Sequence, residues 1–125
     1  MSPAVPLDSS GPHEKSSNNS VLRKLLRQIE CLRTIEPEIQ AQALSTFLVT
    51  AINDPEPVAM VDIAAQVGIA QSSCSRNVAL LGMIHRRGRP GHQLVESYEN
   101  PLDRRNKLVK LTPKGRRLAQ TLIGG

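Results

Sequence analysis

The sequence of 125 residues predicts a mainly α-helical domain with one small β-hairpin. Five segments carry apolar residues at the three- and four-residue spacings of amphipathic helices. Before the last of them, the segments 94–98 and 107–111 alternate apolar and polar residues, as half-buried strands do. Two short helices joined by a glycine, followed by this hairpin, make up a winged helix-turn-helix fold.

The first helix is predicted over 20–33, after a polar segment without periodicity. Residues 1–19 are rich in Ser, Pro, Asn and Gly, and we expect a disordered tail there, with the folded domain over 20–125. Ser20 is a typical N-cap residue. The apolar stripe of the helix consists of Val21, Leu22, Leu25, Leu26, Ile29 and Leu32.

The second and last helices each have a proline in the predicted first turn. The second is predicted over 37–52, beginning at Pro37, and the segment 53–57 ends it as a surface turn. The last is predicted over 113–123, with Thr112 as its N-cap residue.

Two short helices joined at Gly68 form the centre of the predicted domain. The first covers about 60–67 and ends at Gly68, because glycine takes the left-handed conformation without a steric penalty. The second begins near Gln71 and extends at least to Leu81. This is the pattern of a helix-turn-helix.

Charge is unevenly distributed along the chain. Residues 1–84 carry six basic and eight acidic side chains, whereas residues 85–125 carry ten basic and three acidic ones. A basic half is typical of proteins that bind an anionic polymer such as nucleic acid, although it also increases solubility. One Phe, one Tyr and no Trp argue against single-strand binding by base stacking.

Composition and motifs exclude several protein classes. No apolar run approaches the roughly 18 residues of a membrane span, and no secretory signal is evident. Two cysteines cannot form a disulfide framework. We find no phosphate-binding loop, nucleophile with a base or catalytic carboxylate pair, and so expect no enzyme activity, cofactor or metal. The expected location is the cytoplasm, in association with the nucleoid.

The start of the helix at Gln71 carries small polar side chains. A helix that enters the major groove needs such a surface, because its first residues must reach base edges without obstruction. Gln71 and Arg76 can make bidentate contacts with bases, and serine hydroxyls can donate to phosphates or bases. The DNA-binding residues predicted on this helix are Gln71, Ser72, Ser73, Ser75 and Arg76.

The predicted hairpin forms a wing over 94–111, with 99–106 as its polar tip. Arginines at a wing tip suit a narrow, A·T-rich minor groove. Asp103 is expected to pair with Arg105 and stiffen the tip. The residues predicted to meet the minor groove are Arg104, Arg105 and Asn106.

A basic loop, 86–92, precedes the wing. Its arginines either contact phosphates or only keep the loop soluble. No acidic or cysteine partner is expected near His92, so no metal site is predicted there. The loop residues predicted to contact DNA are Arg86, Arg87 and Arg89.

The wing sequence resembles that of the MarR family of winged-helix regulators. Residues 103–115, Asp-Arg-Arg-Asn-Lys-Leu-Val-Lys-Leu-Thr-Pro-Lys-Gly, are similar to the family's wing and the helix start after it. Residues 94–96 resemble the first wing strand, 63–69 the opening of the helix-turn-helix, and 75–76 the recognition helix. The resemblance covers about residues 37–123.

This resemblance implies a homodimer that binds an imperfect palindrome in duplex DNA, most often as a repressor. Helices 20–33 and 113–123 are then expected in the dimer, although the family usually has two C-terminal helices and this chain resembles a C-terminally truncated member. A small-molecule effector is allowed by the family but has no support in the sequence. Cys31 either fills space in its helix or senses oxidants, as a cysteine does in some family members.

Three further differences from the family pattern stand out. About eight extra residues lie near 85–91, between the recognition helix and the wing. Asn77 replaces a residue that is usually apolar, and Ala59 replaces a capping Ser or Thr.

Two other functions fit the same patterns. One is a phage or plasmid DNA-binding protein that acts in replication, partition or packaging with little sequence specificity. The other is a winged-helix module whose basic half binds an acidic protein surface.

Overall fold

The computed structural model describes residues 12–83 and 88–124, which form five helices and three strands. The strands make one antiparallel sheet in the order β1-β3-β2. The predicted mainly α-helical fold with a hairpin wing is confirmed. The elements are α1 (Pro12–Arg33), α2 (Ala41–Asn53), β1 (Val58–Ala59), α3 (Met60–Val67), α4 (Gln71–Leu81), β2 (Val95–Asn100), β3 (Asp103–Leu111) and α5 (Pro113–Gly124).

The helix-turn-helix has the predicted bounds. Gly68 follows α3 in the left-handed conformation, with φ of 79°. The backbone N–H groups of Gly68 and Ile69 both donate to the carbonyl oxygen of Ala64, at 2.9 and 3.0 Å. These bonds give a carbonyl oxygen in the last turn of α3 its hydrogen-bond partners and direct the chain toward the start of α4.

Helix α1 begins at Pro12, not at Ser20. The structure thus places residues 12–19 in the helix, where the sequence predicted a disordered tail; residues 1–11 lie outside the described part. Proline suits a helix start because its φ is already helical and it lacks an N–H. The sequence shows no sign of this start because residues 17–19 are all polar and exposed, so they carry no apolar periodicity.

Helix α2 begins at Ala41, one turn later than predicted. Pro37 lies in a turn instead, where the Ile39 N–H donates to the Glu36 carbonyl oxygen at 3.0 Å. The Arg33 Nε donates to the Pro37 carbonyl oxygen at 3.0 Å, which binds this turn to the end of α1. The predicted placement of Pro37 in the first turn of the helix is therefore wrong.

The wing is a tighter hairpin than expected. Asn100 pairs with Asp103, so only residues 101 and 102 form the turn, and most of the predicted polar tip 99–106 is strand. The Asn100 Oδ1 accepts a hydrogen bond from the Leu102 N–H at 2.9 Å, which closes the turn. Strand β1, with two residues, is too short for alternation to reveal it.

The core lies between helices α2 to α4 and the inner face of the sheet. Phe47, Ile63, Leu81 and Val109 are fully buried there. Cys74 is also buried, and burial raises the pKa of its thiol, so it stays protonated and unreactive. Cys74, Val78 and Leu81 lie at helical spacing on one side of α4 and are all buried, as that spacing predicts.

Thr112 joins the base of the wing to α5. Its Oγ1 donates to the Gln93 carbonyl oxygen at 2.6 Å and accepts from the Gly115 N–H at 3.0 Å. The second bond is the predicted N-cap. Gly115 itself packs directly on the Leu94 carbonyl, where a Cβ atom would collide with backbone.

We expect Gly115→Ala to destabilise the protein by about 1–3 kcal/mol, because the added methyl group overpacks against a backbone that cannot move aside cheaply. Urea denaturation followed by circular dichroism measures this change. Gly124→Ala is the matched control, since a Cβ there meets nothing within 4 Å. Equal free energies of unfolding for the two variants would contradict the packing argument.

Candidate nucleic-acid interface

The α4 side chains that are predicted to contact DNA lie on the side of the helix that faces away from the core. Cys74, Val78 and Leu81 are buried on the opposite face of this helix. The Arg76 Nη2 donates to the Ser73 Oγ at 3.2 Å, one turn back, so the guanidinium lies along the start of the helix. The exposed residues are Gln71, Ser72, Ser75 and Arg76, and Ser73 is half-buried.

The N-terminus of α4 has no capping side chain. Its N-cap residue is Ala70, and the first turn contains no acidic residue. Backbone N–H groups at such an end have no partner within the helix and carry a partial positive charge. Ala59 likewise caps α3 without a side-chain hydrogen bond. The start of α4 is therefore suited to a phosphate oxygen or another anion.

Asp103 organises the base of the wing turn. Its Oδ1 accepts from the backbone N–H of Arg105 at 3.2 Å, and its Oδ2 accepts from the Asn106 Nδ2 at 2.9 Å. The Arg105 Nε lies 3.9 Å from Oδ1, and that side chain is 96% exposed. Asp103 thus holds the wing through Asn106 and the backbone more than through the guanidinium of Arg105. Arg104 and Arg105 both project from the start of β3 into solvent.

The loop arginines are only partly described. Arg86 and Arg87 fall in residues 84–87, outside the described part of the chain. Arg89 lies on the described side and is exposed.

Three other cations of the basic half have partners within the protein. Lys110 lies 3.8 Å from the Glu96 carboxylate and 5.5 Å from the centroid of the Tyr98 ring. Arg116 donates from Nε to both carboxylate oxygens of Asp54 at 3.1 Å, and this hydrogen bond raises the pKa of Arg116. Lys114 donates to the carbonyl oxygen of His92 at 3.0 Å. Three of the ten basic side chains in residues 85–125 are therefore engaged by other groups of the protein.

His92 has an acidic partner that the sequence did not indicate. Its Nε2 lies 3.0 Å from the Glu36 Oε1, across 56 residues of chain. The prediction that no acidic group lies near His92 is wrong, because the turn before α2 packs beside the segment before the wing. Within residues 12–83 and 88–124, no three His, Cys, Asp or Glu side chains are arranged to hold a metal ion.

A cleft of about 270 Å³ separates α4 from the wing. Ser75 lines it from the helix and Ser97 and Lys107 from the two wing strands, above Val78 and Gly82. Ser97 and Lys107 could not be placed beside α4 from the sequence, because the cleft joins elements that are far apart in the chain. The alternation of β3 does indicate that Lys107 shares the inward face with Val109.

Asn77 is buried on α4 and lines a cavity of about 280 Å³ together with Glu36, Glu38 and Gln40. Its Nδ2 has no hydrogen-bond partner among the described residues. A buried donor without a partner costs about 1–3 kcal/mol.

A second surface is apolar. Of the stripe predicted on α1, only Leu32 is buried, and five large side chains remain exposed in the described chain. A groove of about 260 Å³ between α1, α2 and α5 continues this surface and is lined by Leu48, Ile52 and Leu122. The exposed residues of α1 are Val21, Leu22, Leu25, Leu26 and Ile29. None of the described helices is long and apolar enough to span a lipid bilayer.

Comparisons with protein-family models and with curated protein sequences found no match. Solved structures do match. The chain is similar to RV1404 from Mycobacterium tuberculosis, with a TM-score of 0.65 and 18% identity over 98% of this chain and 77% of the other. S. aureus MepR in complex with DNA matches with a TM-score of 0.63 and 17% identity, over 91% and 82% of the two chains.

Bordetella bronchiseptica BpsR, whose DNA binding is regulated by 6-hydroxynicotinic acid, is a third neighbour. It has a TM-score of 0.52 and 22% identity over 87% of this chain and 76% of its own. These neighbours have the winged-helix fold of the MarR-family regulators. The resemblance of the wing sequence to that family is thus confirmed at the level of the fold.

Proposed function

We propose that this chain, with the fold of MarR-family regulators, is a dimeric transcriptional regulator that binds duplex DNA at specific sequences. The observation that carries the proposal is the exposed face of α4, where Gln71, three serines and Arg76 surround a helix start without acidic residues. Similar folds include a protein solved in complex with DNA. The output we propose is repression, in the cytoplasm at the nucleoid.

In this proposal α4 enters the major groove. Gln71 and Arg76 make bidentate contacts with base edges, which give sequence preference. The serines and the uncapped N–H groups of α4 bind phosphates, which fix the position of the helix on the duplex. Val78 and Leu81 anchor the opposite face in the core and keep α4 in a defined orientation.

The wing contributes a second set of contacts. Arg104 and Arg105 follow the turn and are exposed, so they can extend into the adjacent minor groove. Asp103 and Asn106 keep the backbone at this point in one conformation through their mutual hydrogen bond. Arg89 adds a phosphate contact from the loop before the wing, and we propose the same for Arg86 and Arg87.

The dimer forms through the apolar surface of α1 and the groove beside α5. Five exposed large apolar residues on one helix make a continuous patch, which marks an interaction surface. A second copy is the partner we propose, because a twofold dimer presents two α4 helices to two half-sites of a palindrome. Their spacing is then about 34 Å, one turn of DNA.

The test is selection from a pool of random duplexes at near-physiological salt, followed by sequencing of the bound fraction. We expect an enriched inverted repeat with half-sites about one helical turn apart. Unrelated duplexes should bind about 10³-fold or more weakly.

Two other outcomes would replace the proposal. Binding without an enriched sequence would favour a phage or plasmid protein with little specificity. Absence of duplex binding, together with binding to an acidic protein, would favour a winged-helix interaction module.

A further inference from the structure

Three side chains that can donate hydrogen bonds line the cleft between α4 and the wing. Ser75 comes from α4, Ser97 from β2 and Lys107 from β3. None of the three side chains has a hydrogen bond or ion pair with another described residue. The floor is apolar and includes Val78 and Gly82, which are both buried. The donors are therefore available to a ligand from outside the chain.

Strand geometry places Lys107 on the cleft side of the wing. Side chains alternate along a strand, so Lys107 shares a face with Val109 and Leu111, which are buried against the helices. Lys107 lies on this face outside the core. Its side chain is exposed and lines the cleft beside α4. Lys110, on the other face of β3, is instead bound to Glu96 and lies over Tyr98.

The position of the cleft matches that of a DNA backbone. If α4 occupies the major groove and the wing the adjacent minor groove, the sugar-phosphate strand that separates these grooves must pass between them. That is where the cleft lies. An ammonium group and hydroxyl donors are common ligands of phosphate oxygens in protein–DNA complexes.

We propose that this cleft is a phosphodiester site, in which Lys107, Ser97 and Ser75 bind one phosphate of the strand between the two grooves. The site rests on the proposed DNA-binding function and adds two residues to it, Ser97 and Lys107. Glu99 is the cross-strand neighbour of Lys107 and weakens the site by its negative charge. The site fixes position on the duplex and carries no sequence preference.

The first test is the salt dependence of binding of Lys107→Gln to the selected duplex. Loss of one phosphate contact per protomer lowers the slope of log K against log salt by about 0.9 for each half-site. Affinity for all duplex sequences should fall together. Lys110→Gln is the matched control and should keep the slope, because Lys110 is bound to Glu96. Glu99→Gln should bind more tightly than the unmodified protein.

The second test replaces single phosphates of the duplex by neutral methylphosphonates. One position per half-site should weaken binding of the unmodified protein strongly and binding of Lys107→Gln less, because that variant has already lost the charged contact and keeps only the two serine contacts. Ser97→Ala should weaken binding without changing the salt slope, since a hydroxyl carries no charge.

Failure of the site and failure of the function give different results. Equal salt slopes for Lys107→Gln and the unmodified protein, while the unmodified protein still selects a palindrome, would overturn the phosphate site alone. An unmodified protein that binds no duplex would overturn the proposed function, and the site with it.

Discussion

A chain carrying Leu25→Glu is expected to be a monomer and to bind the selected palindrome about 10³-fold or more weakly, near the level of nonspecific DNA. Leu25 is 49% exposed at the centre of the α1 stripe, between Leu22 and Ile29. A charge there faces the partner helix in the proposed dimer and has to be desolvated. Because the proposed dimer binds two half-sites at once, loss of the dimer should remove most of the affinity.

Sedimentation velocity measures the oligomeric state, and fluorescence anisotropy measures binding. Lys24→Glu is the matched control, since it introduces the same residue one position away, beside the stripe. Circular dichroism of both variants should show the helices intact, because both positions are exposed. A dimer that persists in Leu25→Glu would locate the interface elsewhere. A monomer that keeps its affinity would show that one protomer is sufficient.

Arg76→Ala should cost about 1–3 kcal/mol of binding free energy on the selected sequence and relax the preference at one base pair of each half-site. The reason is the bidentate geometry of guanidinium with a guanine edge, which no other base reproduces. Arg76 is exposed on α4 and its only described side-chain bond is to Ser73, so the fold should not change.

Binding to a panel of single-base variants of the selected duplex separates base contacts from phosphate contacts. Arg33→Ala is the control, because this arginine is held at the end of α1 by an ion pair with Glu30 at 2.9 Å. It should bind the panel like the unmodified protein. A loss of affinity that is equal for every duplex would assign Arg76 to a phosphate and refute base recognition by this residue.

Sequence reasoning succeeded where local chemistry determines structure. Gly68 has to end α3, since a left-handed residue at a helix end favours glycine. Thr112 caps α5 through its own hydroxyl, and the spacing to Gly115 is local. The bounds of α3 and α4 follow from these end signals and from core residues at helical spacing.

Contacts between segments that are far apart in the chain could not be predicted from the sequence. The pair of His92 with Glu36 depends on how the turn before α2 packs beside the wing. Lys107 belongs to the cleft only because β3 lies across from α4. Pro37 is compatible with either the first turn of a helix or a loop. In the structure it lies in a loop, where its carbonyl oxygen accepts a hydrogen bond from Arg33. The predicted contacts of α4 and the wing with DNA remain predictions.

The hydroxyl of Thr112 has a mechanical consequence. It bonds both to the segment that leads into β2 and to the first turn of α5, while Gly115 lets that turn pack on the backbone of the same segment at Leu94. The start of the wing and α5 are therefore joined by hydrogen bonds and by direct backbone packing. In the dimer proposed on α1 and α5, this connection would carry a small rotation at the subunit boundary to both wing tips. The angle between the subunits would then set the distance between the tips, and with it the length of the operator that fits.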